Sequence, residues 1–264
     1  MSGKKKIGII DSGVGGLSIL FHLLRMQEDC TFYYQSDHSN VPYGNKKQDF
    51  MYSQTALMVE KLLAEKIDLI LIACNTLTAE TIDKLRGEYE IPFVGIEPYI
   101  NYVNSLAPEH HAGLILTQAT FDSKRFQSLV QKLDHEHKLA TFPLANLALI
   151  IEDMQYNGIE KGLAKVDEEL LEIKKMNLDS LILGCTHYPL IGKYIAESLD
   201  VNVIDPHIAV CKRVFEVLKL ELKEAKDFLN KDFNYAFEID AEFEQKSLQV
   251  FDFFTSKNGI IFSR

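Results

Sequence analysis

No apolar run in this 264-residue sequence approaches the roughly 20 residues that a helix needs to cross a bilayer. Positive charge is short as well: 28 Lys and Arg stand against 38 Asp and Glu, a formal net charge of −10. A duplex nucleic-acid binder needs a basic face to displace phosphate counterions, so nucleic acid is not expected as a partner. Cysteine is scarce, and four residues in so long a chain make no disulfide framework. Low-complexity segments and flexible linkers are absent. The charged start, Met1 to Lys6, leads into an apolar stretch, Ile7–Ile10, that breaks at once on Asp11. That pattern reads as neither a signal peptide nor a lipidation signal. A cytoplasmic protein with no membrane partner is expected.

What is present is the balance of an ordinary globular chain, 47% hydrophobic and 25% charged. Its length implies one large or two small domains with ample material for a core. Short β-branched runs alternate with amphipathic stretches from end to end. Strands are predicted at Ile7–Ile10, Thr31–Tyr34, Leu69–Ala73, Phe93–Ile96, Leu114–Thr117, Leu181–Gly184 and Val201–Ile204. Helices are predicted at Gln48–Glu65, Ala79–Arg86, Asp122–Leu133, Gly162–Lys175 and Ile208–Leu220. Runs apolar throughout suit strands buried on both faces, and strand–helix alternation implies an α/β protein with largely parallel sheets. Strand character returns at Tyr235–Ile239 and Val250–Thr255, as an edge.

An internal repeat divides the chain. Leu71-Ile72-Ala73-Cys74-Asn75-Thr76 recurs as Ile182-Leu183-Gly184-Cys185-Thr186-His187, an offset of 111 residues. Ile96-Glu97-Pro98 recurs as Ile204-Asp205-Pro206 at an offset of 108, and the strand ending at Asp11-Ser12 recurs at Leu114–Thr117 at an offset of 106. Three landmarks in one order imply two pseudo-symmetric α/β halves with a site in the cleft between them. Pro98 and Pro206 are natural crossover points, because proline disfavours helix in the residue before it. The expected division is 1–97 plus 207–264 for the first domain and 98–206 for the second.

Ligands of open parallel sheets bind beyond the carboxyl ends of the strands. Asp11-Ser12-Gly13-Val14-Gly15-Gly16 lies at such an end, and its glycines permit a tight turn and close backbone approach. A phosphate loop is the rival reading, but the motif lacks a Lys-Ser/Thr ending and opens on an acid. Cys74 and Cys185 each end a buried-type strand and precede polar donors. A thiol facing a helix N-terminus has its thiolate stabilised and its pKa lowered from about 8.5. The competing reading is a small buried hydrophobe; two cysteines at equivalent places in a repeat favour function. No metal is expected, since no four-ligand set surrounds either cysteine. Cys30 and Cys211 lie outside these motifs and read as structural. Pro42-Tyr43-Gly44 is a turn or a site loop. Asp37 and Glu152 are surface acids or assistants that orient a neighbouring base.

The segments Asp11-Ser12-Gly13-Val14-Gly15-Gly16-Leu17, Val41-Pro42-Tyr43-Gly44, Ala73-Cys74-Asn75-Thr76 and Gly184-Cys185-Thr186-His187-Tyr188-Pro189-Leu190 resemble, in order and spacing, the motifs of the glutamate racemases. These belong to the cofactor-independent aspartate/glutamate racemase superfamily. The resemblance covers about residues 5 to 210, with a looser tail around Phe254-Thr255-Ser256. Departures are Ser36 before Asp37, Leu116 before Thr117, a loosely matching Pro143–Asp153 segment that carries Glu152, His207, and a short C-terminal tail. The resemblance implies racemisation of glutamate by two cysteines, Cys74 acting on D-glutamate and Cys185 on L-glutamate, with Asp11 and His187 assisting. It implies substrate contacts from Asp11, Ser12, Tyr43, Gly44, Asn75, Thr76, Thr186 and His187. It further implies no cofactor, a homodimer, and D-glutamate supply for peptidoglycan. Aspartate racemisation, a related diacid racemase or lyase, and a silent amino-acid-binding module are the alternatives.

Overall fold

The computed structural model describes residues 4–26, 30–134, 138–221 and 235–237. Strands β1 (Lys5–Asp11), β2 (Cys30–Ser36), β3 (Leu69–Ile72) and β4 (Phe93–Gly95) run parallel in the order β4-β3-β1-β2. Strands β5 (Ala112–Leu116), β6 (Leu139–Pro143), β7 (Ser180–Gly184) and β8 (Asn202–Ile204) form a second parallel sheet in the order β8-β7-β5-β6. The two orders are the same once β1 is set on β5 and β3 on β7, which is the pairing that the repeat predicts. A further strand, β9 (Tyr235–Phe237), adds in parallel to the outer edge of β2. The expected strand at Val250–Thr255 and the Phe254–Ser256 tail lie outside the described residues.

The helices are α1 (Leu17–Met26), α2 (Gln48–Ala64), α3 (Asn75–Glu88), α4 (Gln118–Asp122), α5 (Lys124–Leu133), α6 (Leu147–Asn157), α7 (Ile159–Lys174), α8 (Gly192–Leu199) and α9 (His207–Val217). Helix α9 follows β8 and packs on α1, so the chain ends its second sheet and returns to the first.

Side-chain alternation explains why the strands read as continuous apolar runs. On β1, Ile7 and Ile9 join one cluster and Ile10 another; on β3, Leu69 and Leu71 part from Ile70 and Ile72 in the same way. In the second sheet Leu181 and Leu183 face the shared core, while Leu114, Leu116 and Ile182 pack under α5 around Phe126. The shared core therefore takes one face of each sheet. Each fully buried Ile or Leu contributes about 1.5–3 kcal/mol.

Three expectations are corrected. Strand β6 went unseen, because an edge strand that is buried only at Leu139 carries no continuous apolar run. Helix α3 starts at Asn75 rather than Ala79: the polar run Asn75-Thr76-Leu77-Thr78 looks like a loop, yet all four residues are buried and Cys74 caps the helix. The predicted Asp122–Leu133 helix starts later, at Lys124, where Ser123 accepts the Phe126 N–H, and Asp122 ends the separate α4.

Candidate active site

The carboxyl ends of β1, β3, β5 and β7 meet around one cavity of about 360 Å³. Ser12, Tyr43, Gly44, Cys74, Asn75 and Thr76 reach it from the first sheet's side, and Thr117, Gln118, Asn146, Cys185 and His187 from the second. Both candidate cysteines thus border the same space, one from each half. Each is buried.

Cys74 occupies the N-cap of α3, where its Sγ accepts the Leu77 N–H at 3.5 Å, a place more often held by a side-chain oxygen. Ser12 Oγ lies 3.5 Å from the same sulfur. The helix N-terminus does not lower this thiol as expected. Burial and the nearby Asp11 charge push it up to about 12, outweighing the Ser12 and Leu77 hydrogen bonds. So placed, Cys74 is a thiol, a proton donor.

Around Cys185 the arrangement is different. His187 Nδ1 lies 3.7 Å from Cys185 Sγ, and its other nitrogen, Nε2, lies 2.6 Å from Glu152 Oε1. Burial alone would lower the His187 imidazole, but its hydrogen bonds to Cys185 and Glu152 and their charges raise it well above its ordinary value. Burial likewise opposes the Glu152 carboxylate, yet His187, the Val14 N–H at 2.8 Å and His38 hold it below its ordinary value. The chain of groups extends outward: His38 Nδ1 is 3.6 Å from Glu152 Oε2, and His38 Nε2 bonds the half-exposed Tyr156 hydroxyl at 2.9 Å.

The glycine loop makes this meeting of halves possible. A Cβ on Gly13 would stand 2.0 Å from Glu152 Oε1, and one on Gly15 would stand 2.6 Å from both His187 Nδ1 and Thr186 Oγ1. These glycines serve close approach of the second half, not a phosphate.

The remaining expected residues divide into wall and support. Asp11 is fully buried behind the cavity; its Oδ2 accepts the Gly13 N–H at 2.9 Å and its Oδ1 accepts the Thr186 hydroxyl at 3.4 Å. Burial raises the Asp11 carboxyl despite the His187 charge and the Gly13 and Gly16 N–H groups. Neither Asp11 nor Thr186 lines the cavity. Asp37 does not reach it either: it accepts the Tyr43 hydroxyl and both its oxygens accept from Asn40, so it orients Tyr43. Ser36 and Leu116 are also outside the lining. Thr76 Oγ1 bonds Thr117 Oγ1 at 3.0 Å across the halves. Asn75 is 3% exposed, borders the cavity, and neither its Oδ1 nor its Nδ2 has a hydrogen-bond partner. Buried side-chain amides are as a rule hydrogen-bonded, so this one calls for an explanation.

Sequence reading missed Thr117, Gln118, Asn146, His38 and Tyr156. The repeat offered a signal for Thr117: with Cys74 set on Cys185, the strand pairings put it where Ser12 stands in the first half. His38 and Tyr156 carried none. As for metal ligands, the described residues bring together His22, Asp205 and His207, away from the cavity lining. None of the described helices is long and apolar enough to cross a membrane.

The chain is similar to known proteins in sequence and fold. A family model described as Asp/Glu/Hydantoin racemase matches residues 26–214. A glutamate racemase of Clostridium acetobutylicum is 36% identical over 201 residues, covering 75% of this chain and 78% of that one. The crystal structure of glutamate racemase isoform RacE1 from Bacillus anthracis superposes with a TM-score of 0.77 at 28% identity, over 93% of both chains. That of the Francisella tularensis glutamate racemase in complex with D-glutamate gives 0.73 at 28% identity, over 94% of this chain and 93% of the other.

Proposed function

This chain belongs to the Asp/Glu/Hydantoin racemase family, and from that premise we propose that it is a glutamate racemase working by two-base proton transfer between Cys74 and Cys185. One observation carries the reading: two buried cysteines, one from each half of a repeat, border one cavity. Inverting an α-carbon requires taking its proton from one face and returning a proton to the other. Groups on opposite walls do this without turning the substrate over.

With L-glutamate, Cys185 as thiolate takes the α-proton and the Cys74 thiol gives its proton to the opposite face. With D-glutamate the roles reverse, so one sulfur is always thiol while the other is thiolate. Cys74, held as a thiol by burial and by Asp11, is set for the first direction. His187, kept protonated by Glu152, stands beside Cys185 to exchange its proton. Ser12 supports the Cys74 sulfur, and Asp11 is the fixed charge behind it. Asn75, Thr76 and Thr117 offer donors for the carboxylates, which is how a dicarboxylate enters a protein of net charge −10. Tyr43, steadied by Asp37, closes the wall beside Gly44.

The same reading takes Thr186 as support for Asp11, domain boundaries at Pro98 and Pro206, a cytoplasmic homodimer, and D-glutamate delivered to peptidoglycan synthesis. The test is incubation with D- and L-glutamate in deuterated water, following rotation and α-deuterium. Loss of rotation from both enantiomers with α-deuterium in the product is expected. Binding without exchange, or a larger kcat/KM for aspartate, overturns the reading.

A further inference from the structure

A second cluster of reactive side chains lies where β8 hands the chain back to the first sheet. Asp205 and His207 flank Pro206 at the start of α9, and His22 meets them from α1. One donor atom from each lies within 4.8 Å of the others. His207 Nδ1 is 3.4 Å from Asp205 Oδ1, and His22 Nε2 is 4.0 Å from Asp205 Oδ2. The two imidazole rings stand edge to face, 5.9 Å between centroids.

His207 is the residue that needs an explanation. It is 0% exposed, and neither of its ring nitrogens has a hydrogen-bond partner. Asp205 Oδ1 accepts the His207 backbone N–H at 2.9 Å, and the 3.4 Å approach of Nδ1 to the same oxygen is not a hydrogen bond. A buried imidazole with no hydrogen-bond partner is costly to the fold and calls for an explanation. An imidazole so placed beside a carboxylate has the make-up of a metal ligand.

We propose that His22, Asp205 and His207 bind one divalent transition-metal ion of the zinc class, which ties the start of α9 to α1. Two imidazoles and one carboxylate suit zinc, cobalt or nickel rather than the all-oxygen shells of magnesium and calcium. Ligands about 2.1 Å from a tetrahedral centre stand about 3.4 Å apart. The separations, 3.4 Å to one Asp205 oxygen, 4.0 Å to the other and at most 4.8 Å within the set, are within reach of that by side-chain rotation. Partial exposure of His22 and Asp205, at 20% and 30%, leaves a path for the ion and a water as fourth ligand. The ion takes the His207 Nδ1 lone pair, and the tautomeric proton stays on Nε2. None of the three residues lines the cavity, so the site is structural and independent of the proton-transfer chemistry.

The test uses the full, tag-free chain, stripped with EDTA, dialysed, and titrated with zinc chloride by calorimetry, with a thermal melt at each point. One zinc per chain and a rise in Tm are expected. His22→Ala, a change at the partly exposed ligand, should weaken zinc by at least about tenfold, no less than loss of an outer-shell partner costs a metal site. His207→Leu should do the same, and His22→Ala keeps the test decisive if that core variant does not fold. Absence of stoichiometric binding by the unmodified chain overturns the proposal. So does unchanged affinity in folded His22→Ala, or loss of the binding in Cys74→Ser, which places the ion on the cavity thiols.

Discussion

Glu152 Oε1 lies 2.6 Å from His187 Nε2 and, with the same oxygen, accepts the Val14 N–H at 2.8 Å. One buried carboxylate thus fixes the histidine beside Cys185 and stitches the second half of the molecule to the glycine loop of the first.

Glu152→Gln keeps an acceptor for Val14 but removes the charge. Breaking one side of a buried pair costs about 3–5 kcal/mol. The pH dependence has a definite sign. The raised His187 stabilises the fold fully below its ordinary 6.5 and loses that contribution as pH rises through its folded value. The lowered Glu152 stabilises above its ordinary 4.5 and loses its contribution as pH falls through its folded value. The Tm difference between the unmodified chain and Glu152→Gln should therefore be greatest between pH 4.5 and 6.5 and shrink on both sides. A difference that is flat with pH would show that the pair is not ionic.

Cys74→Ser and Cys185→Ser should each abolish racemisation, since a hydroxyl is far less acidic than a thiol and inversion needs both faces. Each folded variant should still start the half-reaction its remaining thiol can begin. With an analogue carrying a good β-leaving group, Cys74→Ser should eliminate from the L-form and Cys185→Ser from the D-form. A buried hydroxyl lacking a partner costs about 1–3 kcal/mol, so a circular-dichroism melt must accompany the assay. Near-normal racemisation by either variant would sink the two-thiol mechanism.

Gly13→Ala places a methyl on Glu152 Oε1, whereas a Cβ on Gly44 meets nothing within 4 Å. Gly13→Ala should lower stability by about 1–3 kcal/mol and cut kcat by displacing the carboxylate from His187. Gly44→Ala should leave stability within about 0.5 kcal/mol. Parallel urea melts distinguish the two; equal effects would mean that close approach is not what the loop provides.

Asn75→Ala removes a buried amide that has no hydrogen-bond partner. Such a group is a liability of about 1–3 kcal/mol to the fold. The variant should be as stable as the unmodified chain or more so, while KM for glutamate rises with a smaller change in kcat. A clear loss of stability, read in the same melts, would assign Asn75 to the fold rather than to the ligand.

The local pattern of the sequence determined the α/β class, the parallel strands and the placement of both cysteines at strand ends. These follow from neighbours along the chain: apolar runs such as Leu69–Ile72 leave no polar face, and the Cys74 and Cys185 motifs repeat at one offset. Tertiary structure alone decided which acids matter and how. Asp37 steadies Tyr43, while Glu152, one acid on an unremarkable helix, reaches Val14 across 138 residues. Asp11 meets Thr186 across 175. It also decided that Cys74 sits high, at about 12, despite its helix N-terminus. The reason is that desolvation and charge depend on what encloses a group in space, which the local pattern of the chain does not record.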